Sequence, residues 1–94
     1  MPTLRIEHPV PDFGAWKKAF DSDPAGRQRS GVRRYRILRP ADGPNYVMID
    51  LEFETVPEAK ALLATMRTVW AGAGGRVSSS QQARIAETAE VKEY

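Results

Sequence analysis

Residues 45–58, NYVMIDLEFETVPE, decide the fold, because they join a strand with a clear two-residue period to a well-marked helix start. Residues 45–54 alternate between apolar and largely polar side chains, which is typical of a half-buried strand. The apolar face carries Val47, Ile49, Leu51 and Phe53. Thr55 and Glu58 then match a capping box, in which each side chain bonds the backbone of the other residue. The stretch therefore predicts a strand followed directly by a helix.

Downstream of this helix start, apolar residues recur at helical spacing until a glycine-rich run at 72–75 ends the pattern. The predicted buried stripe consists of Ala59, Leu62, Leu63, Met66, Val69 and Trp70. Upstream, residues 3–8 alternate and predict a first strand that ends at the prolines of 9–11. Asp12 is placed to cap a first helix whose stripe is Phe13, Trp16 and Phe20.

Three weaker elements complete the chain. Residues 32–39 are rich in arginine and predict an edge strand, which the turn at 40–44 joins to the strand at 45–54 as a hairpin. A last strand is expected near residues 81–88, and the tail at 89–94 either extends it, contacts a partner subunit or frays. The predicted order is strand, helix, strand, strand, helix, strand.

This order predicts a single α+β domain over residues 1–94, with the ferredoxin-like βαββαβ arrangement. Two helices cover one face of a four-stranded antiparallel sheet and leave the other face open. We expect that open face to pair with a second copy of the chain, so that two sheets close into a dimeric barrel. The residues predicted on it are Arg5, Glu7, Arg34, Arg36, Tyr46, Met48, Asp50 and Glu52.

Composition limits the classes of function. Fourteen basic and twelve acidic residues give a net charge of only +2, which argues against nucleic acid as a partner. The chain has no cysteine and a single histidine, so no metal site is expected, and no motif calls for a cofactor. No apolar run is long enough to span a membrane, and the first residues are too charged for a signal peptide. We therefore expect a cytoplasmic protein.

Residues 8–21 contain the pattern His8-Pro-Val-Pro-Asp12-Phe13, followed by Trp16-Lys17 and Phe20-Asp21. This pattern resembles that of a group of small bacterial proteins of the dimeric α+β barrel superfamily. The resemblance is strongest over residues 6–21 and 44–63. It implies a homodimer in which ligands sit between sheet and helices. Members of the superfamily include cofactor-independent monooxygenases acting on polyketide-like aromatics, haem-degrading enzymes, isomerases and cyclases. No catalytic residue of these enzymes can be transferred to a position here.

Two features are candidates for a site. His8 ends the first strand on the helix side, where it could act as an acid, a base or a ligand anchor, although a structural histidine is the more common case. Aromatic residues on the inner helix faces could frame a pocket or simply fill the core. The candidate pocket residues are His8, Phe13, Trp16, Phe20, Phe53, Met66 and Trp70.

Three hypotheses of function follow. The first is a homodimer that binds a small apolar or aromatic molecule between sheet and helices. The second is a cofactor-independent enzyme, of monooxygenase, cyclase or isomerase type, in which His8 is the candidate catalytic residue. The third is a structural or interaction module without a ligand.

Overall fold

The structure is a computed structural model that describes residues 1–23, 26–43, 45–72 and 81–94, and only the backbone of residues 70–72. The elements in chain order are β1 (Thr3–Pro9), α1 (Phe13–Asp21), β2 (Arg34–Leu38), β3 (Tyr46–Glu52), α2 (Val56–Gly72) and β4 (Gln82–Ala86). No helix in these ranges is long and apolar enough to cross a membrane.

The four strands form one antiparallel sheet in the order β2-β3-β1-β4. The two central strands are β1 and β3, and Ile6 lies opposite Ile49 in their register. This is the predicted ferredoxin-like α+β fold. Because the side-chain period of a strand is two, this register places Leu4, Ile6, Val47, Ile49 and Leu51 together on the helix side.

The core lies between this apolar face and the two helices. Its buried apolar residues are Leu4, Ile6, Val10, Trp16, Phe20, Val47, Ile49, Leu51, Phe53, Ala59, Leu62 and Leu63. Both helices begin at the capping residues that the sequence predicts. Asp12 Oδ1 accepts from the Gly14 amide at 3.1 Å, and the Thr55 amide donates to Glu58 Oε1 at 3.2 Å. The Glu58 amide completes the capping box by donating to Thr55 Oγ1 at 3.3 Å.

The structure corrects the predicted start of β2 and the predicted end of β4. Strand β2 begins at Arg34 rather than at residue 32, because the Val32 amide donates to the Arg27 carbonyl (3.1 Å) and so belongs to the preceding turn. Gly31 closes that turn with a φ of +101°, a conformation that favours glycine. Strand β4 ends at Ala86 rather than at residue 88.

The predicted buried stripe of α2 is correct in its first half only. Ala59, Leu62 and Leu63 are buried and Met66 is half-buried, but Val69 is 38% exposed. Val69 borders a small cavity, so part of its surface has no side chain against it. The side chain of Trp70 lies outside the described part of the structure.

Candidate functional site

Helix α1 presents a row of aromatic rings to the core. Phe13, Trp16 and Phe20 share the inner face of the helix, and Trp16 and Phe20 are both buried. The ring centroids of Trp16 and Phe20 are 5.1 Å apart in a stacked arrangement, and those of Phe13 and Trp16 are 5.7 Å apart. Tyr35 of β2 continues the row, with its ring edge-on to Phe20 at 5.1 Å. Such pairs stabilise the core beyond the area that they bury.

His8 lies at the other end of this row, at the end of β1. It is only 3% exposed, and its ring meets Trp16 edge-on with centroids 6.3 Å apart. His8 Nδ1 is 3.0 Å from the Pro9 carbonyl oxygen, which can only accept, so Nδ1 carries the proton in the neutral ring. Burial lowers the pKa of His8, although the hydrogen bond to Pro9 opposes that shift. His8 is therefore a neutral imidazole whose Nε2 lone pair is an acceptor or a weak base.

A cavity of about 40 Å³ lies between the sheet and the helices. Six of its wall residues are apolar and two are charged: Ile6, Phe20, Ile49, Leu51, Met66, Val69, Asp23 and Arg27. An engineered cavity that binds benzene measures about 150 Å³, so this one must widen before an aromatic ring can enter. Met66 and Val69 form the α2 side of the cavity, and because Met66 is half-buried and Val69 is 38% exposed, packing is incomplete on that side.

The structure brings only part of the predicted pocket set to this cavity. Phe20 and Met66 line it. Trp16, Phe13 and His8 are connected to it through the ring row, whereas Phe53 is fully buried in the core away from its walls. The row of Phe13, Trp16 and Phe20 therefore lies on one helix face, as their spacing predicts, and the cavity lies at the Phe20 end of that row.

Arg27 and Asp23 also line this cavity, and neither is among the pocket residues that the sequence predicted. The Arg27 guanidinium carbon lies 3.7 Å from the centroid of the Phe20 ring, and Nη1 donates to the Phe20 carbonyl at 2.8 Å. Asp23 accepts from the Arg27 amide at 2.8 Å, and its carboxylate is 3.6 Å from Nη1. The i, i+4 spacing of an acid and a base just beyond the helix end is the signal that could have found the pair. Together they place a cation, stacked on an aromatic ring, at the mouth of the cavity.

The sheet face without helices is a lattice of paired charges. Asp50 is only 6% exposed and accepts from Arg5 Nε and Nη2 at 2.7 and 2.8 Å, while Arg36 Nη2 lies at 3.4 Å. The hydrogen bonds from Arg5 hold the pKa of the Asp50 carboxyl below its usual range. All eight residues predicted on this face are placed there by the register of the strands.

Two further contacts extend this lattice along the open face. Tyr46 donates to Glu7 at 2.8 Å, and Arg34 Nη2 donates to Glu52 at 3.0 Å. In the described part of the chain Arg84 has no ion-pair partner, although it lies directly opposite Arg5. The charges on this face therefore pair with one another, and among the described residues the Arg84 guanidinium is the one without an ion-pair partner on it.

Comparison with known proteins gives a fold and no sequence family. No protein-family model and no curated protein sequence matches the chain. Solved structures do match over almost its whole length. The cofactor-independent oxygenase SnoaB from Streptomyces nogalater has a TM-score of 0.74 and 17% identity, covering 96% of this chain and 94% of its own. A candidate antibiotic biosynthesis monooxygenase from Nitrosomonas europaea has a TM-score of 0.70 and 19% identity, covering 96% and 100%.

A third structural neighbour is a mutant of MhuD, solved with two manganese protoporphyrin IX molecules per active site. Its TM-score is 0.68 at 19% identity, and the match covers 100% of both chains. At these identities the likeness concerns the path of the chain and not the chemistry of its side chains. The chain has the ferredoxin-like α+β fold of antibiotic biosynthesis monooxygenases and their structural relatives.

Proposed function

We propose that this chain is a homodimeric domain that binds a small apolar or aromatic molecule between its sheet and its helices. The observation that carries the proposal is the apolar cavity beside Phe20, which is bordered by the incompletely packed Met66 and Val69. Ligand sites in small domains are concave and mostly apolar, with a few polar groups that fix orientation. The fold neighbours SnoaB and MhuD support the same reading, since SnoaB is a cofactor-independent oxygenase and the MhuD mutant holds manganese protoporphyrin IX in its active site.

The mouth of the cavity favours an aromatic ligand over an aliphatic one. Phe20 and Tyr35 offer ring faces and edges, and Arg27 already lies over the Phe20 ring at 3.7 Å. Trp16 and Arg27 already lie against the Phe20 ring, so a flat ring that enters beside Phe20 would meet its edge and gain stacking on the outer side of the Arg27 guanidinium plane. An alkyl chain would gain only the burial of its surface.

The homodimer is proposed through the open face of the sheet. Tyr46 and Met48 are half-buried there, and the surrounding charges already have partners in their own chain, so a second copy would not leave Asp50 or Glu52 unpaired. A sheet of a domain this small gains stability when its open face is covered. A two-fold axis brings a face against its own copy, and a face that carries both signs of charge suits that contact better than a face of one sign.

A thermal-shift titration with indole, naphthalene and 2-naphthoate tests the ligand site. A compound at ten times its dissociation constant stabilises the folded state by about 1.4 kcal/mol, which for a domain of this size raises Tm by roughly 5–10 °C. Val69→Phe fills the rim of the cavity and should abolish that shift. Thr65→Phe, an exposed position on the same helix, is the matched control and should keep it. Absence of any shift with all three probes contradicts the proposal.

A second function, a cofactor-independent enzyme acting on an aromatic substrate, is favoured by one observation about His8. Its proton is fixed on Nδ1, so the Nε2 lone pair is free to accept a proton from a substrate hydroxyl beside Trp16. Loss of that proton leaves an electron-rich anion, and SnoaB, which shares the fold, is described as a cofactor-independent oxygenase.

Oxygen uptake measured with a panel of hydroxylated naphthalenes and anthracenes tests this second function. His8→Gln keeps the size and polarity of the side chain and should abolish uptake while the binding shift persists. Because burial lowers the pKa of His8, uptake by the wild type should be constant above pH 6.5 and should fall only at lower pH. Unchanged uptake in His8→Gln rules out this role for the histidine.

A further inference from the structure

The C-terminal tail, residues 87–94, leaves the fold after β4 with every residue exposed. Val91 is 78% exposed and Tyr94 is fully exposed. Within the described part of the chain, the side-chain contact seen in residues 89–94 joins two residues of this same segment: Lys92 Nζ lies 6.0 Å from the centroid of the Tyr94 ring. An extended segment with two bare apolar side chains gains stability when another surface covers it.

The tail departs on the open side of the sheet. Glu87 and Thr88 form one wall of a hollow of about 460 Å³ on that face, and its floor includes Arg36, Asp50 and Arg84. A second copy that covers the open face would therefore lie directly in the path of the tail.

Strand β2 offers the tail an unpaired edge. In the sheet order β2-β3-β1-β4 it has a neighbour on one side only. Exposed edges bind extended segments through main-chain hydrogen bonds. The edge is also strongly basic, because residues 33–39 contain four arginines and no acid.

Charge makes the tail and this edge complementary. The tail contains three glutamates and one lysine, a side-chain charge of −2, against +4 for residues 33–39. Arg33, Arg34 and Arg36 have acidic partners in their own chain, but their side chains are 56%, 75% and 70% exposed. Each guanidinium therefore still has N–H groups that are free to meet a second carboxylate.

The alternation of the tail also fits the two faces beside β2. In an added strand, Ala89, Val91 and Glu93 point to one face and Glu90 and Lys92 to the other. One of the two settings puts Val91 beside Tyr35, which is on the helix side and 45% exposed. The same setting puts Glu90 on the open side, beside Arg34 and Arg36.

We propose that the tail of one copy pairs as a fifth strand with the outer edge of β2 in a second copy, with Glu90 meeting Arg36 and Val91 covering Tyr35. The proposal rests on the homodimer of the proposed function and names a contact that reaches beyond the open face. Each copy gives one tail and receives one, so the contact occurs twice per dimer.

Two charge reversals, in separate chains, test this contact. Glu90→Arg places a cation against Arg36, and Arg36→Glu places an anion against Glu90. Sedimentation equilibrium of each variant alone should show dimerisation weakened about tenfold, since both contacts of the dimer become repulsive. In an equimolar mixture, the Glu90→Arg tail meets the Arg36→Glu edge and the native tail meets the native edge. The mixture should therefore regain the wild-type dissociation constant as a heterodimer.

Asp42→Arg is the matched control, because it makes the same change of charge at an exposed site outside the tail and the β2 edge, and it should leave the dissociation constant within about twofold. A mixture that stays as weak as its components overturns the tail contact, as does a Glu90→Arg chain that dimerises like the wild type. Both results leave the open-face dimer and the ligand site standing. A wild type that stays monomeric at all concentrations overturns the dimer and the tail contact together.

Discussion

Replacement of Asp50 by asparagine should lower the free energy of unfolding by about 1–2 kcal/mol at pH 7. The carboxylate accepts two charge-assisted hydrogen bonds from Arg5, at 2.7 and 2.8 Å, and asparagine keeps one acceptor without the charge. A hydrogen bond to a charged group contributes about 1.5–3 kcal/mol. The Arg5 side chain is 50% exposed, so solvent screening reduces that value toward the range of surface pairs. Arg36, at 3.4 Å, adds little.

Urea unfolding at one low protein concentration, followed by tryptophan fluorescence, measures this loss without a contribution from dimerisation. In a thermal scan, Tm should fall by roughly 4–16 °C. The pH dependence identifies the cause. Arg5 lowers the folded pKa of Asp50, so its contribution is complete above the unfolded value of about 3.9 and is lost as the pH falls through the folded pKa. The difference between wild type and variant should therefore close in strong acid.

Asp42→Asn is the control, because Asp42 is an exposed acid in the turn before β3 and forms no ion pair in the described structure. It should change the free energy of unfolding by less than about 0.5 kcal/mol. A loss of equal size in Asp42→Asn, or an Asp50→Asn difference that does not shrink as the pH falls below 3.8, would refute the reasoning.

Three further outcomes are expected. The Tm of the wild type should fall as the pH drops below about 6.5, because the unfolded histidine gains a proton that the buried one resists. His8→Gln should lack this fall, and an acid titration of Tm measures the difference. Thr55→Ala should cost about 1 kcal/mol in urea unfolding, and most of that cost should remain when Glu58 is already alanine, because Thr55 Oγ1 accepts from the backbone amide of that residue and not from its side chain. Gly31→Ala should cost about 1–3 kcal/mol, since φ is +101° and the added Cβ would press on the Glu58 carboxylate; a stability within 0.5 kcal/mol of wild type contradicts this.

The central strands and both helix starts could be predicted because their signals are local. The alternation of β1 and β3 fixes which side chains face the helices, and the Asp12 and Thr55 caps depend on residues within four positions along the chain. The start of β2 could not be predicted. Whether Val32 joins the ladder or the preceding turn depends on the Arg27 carbonyl, whose position is set by the turn as a whole.

The aromatic row of the candidate site could be predicted from the sequence, but the position of the cavity could not. Helical spacing identifies Phe13, Trp16 and Phe20 as one buried row, and the structure confirms that row. The position of the cavity along this row depends on the distance between two helices that are far apart in sequence. The same holds for Arg27, whose position over Phe20 arises from a turn and not from a periodic pattern.

The stacked Trp16 and Phe20 rings also give the domain an optical reporter of its own interior. The Trp16 indole is buried, touches the imidazole of His8 and lies one ring away from the cavity. Its emission therefore responds to protonation at one end of the row and to an incoming molecule at the other. With Trp70 replaced by phenylalanine, a single fluorescence trace separates the two events, because one follows pH and the other follows concentration.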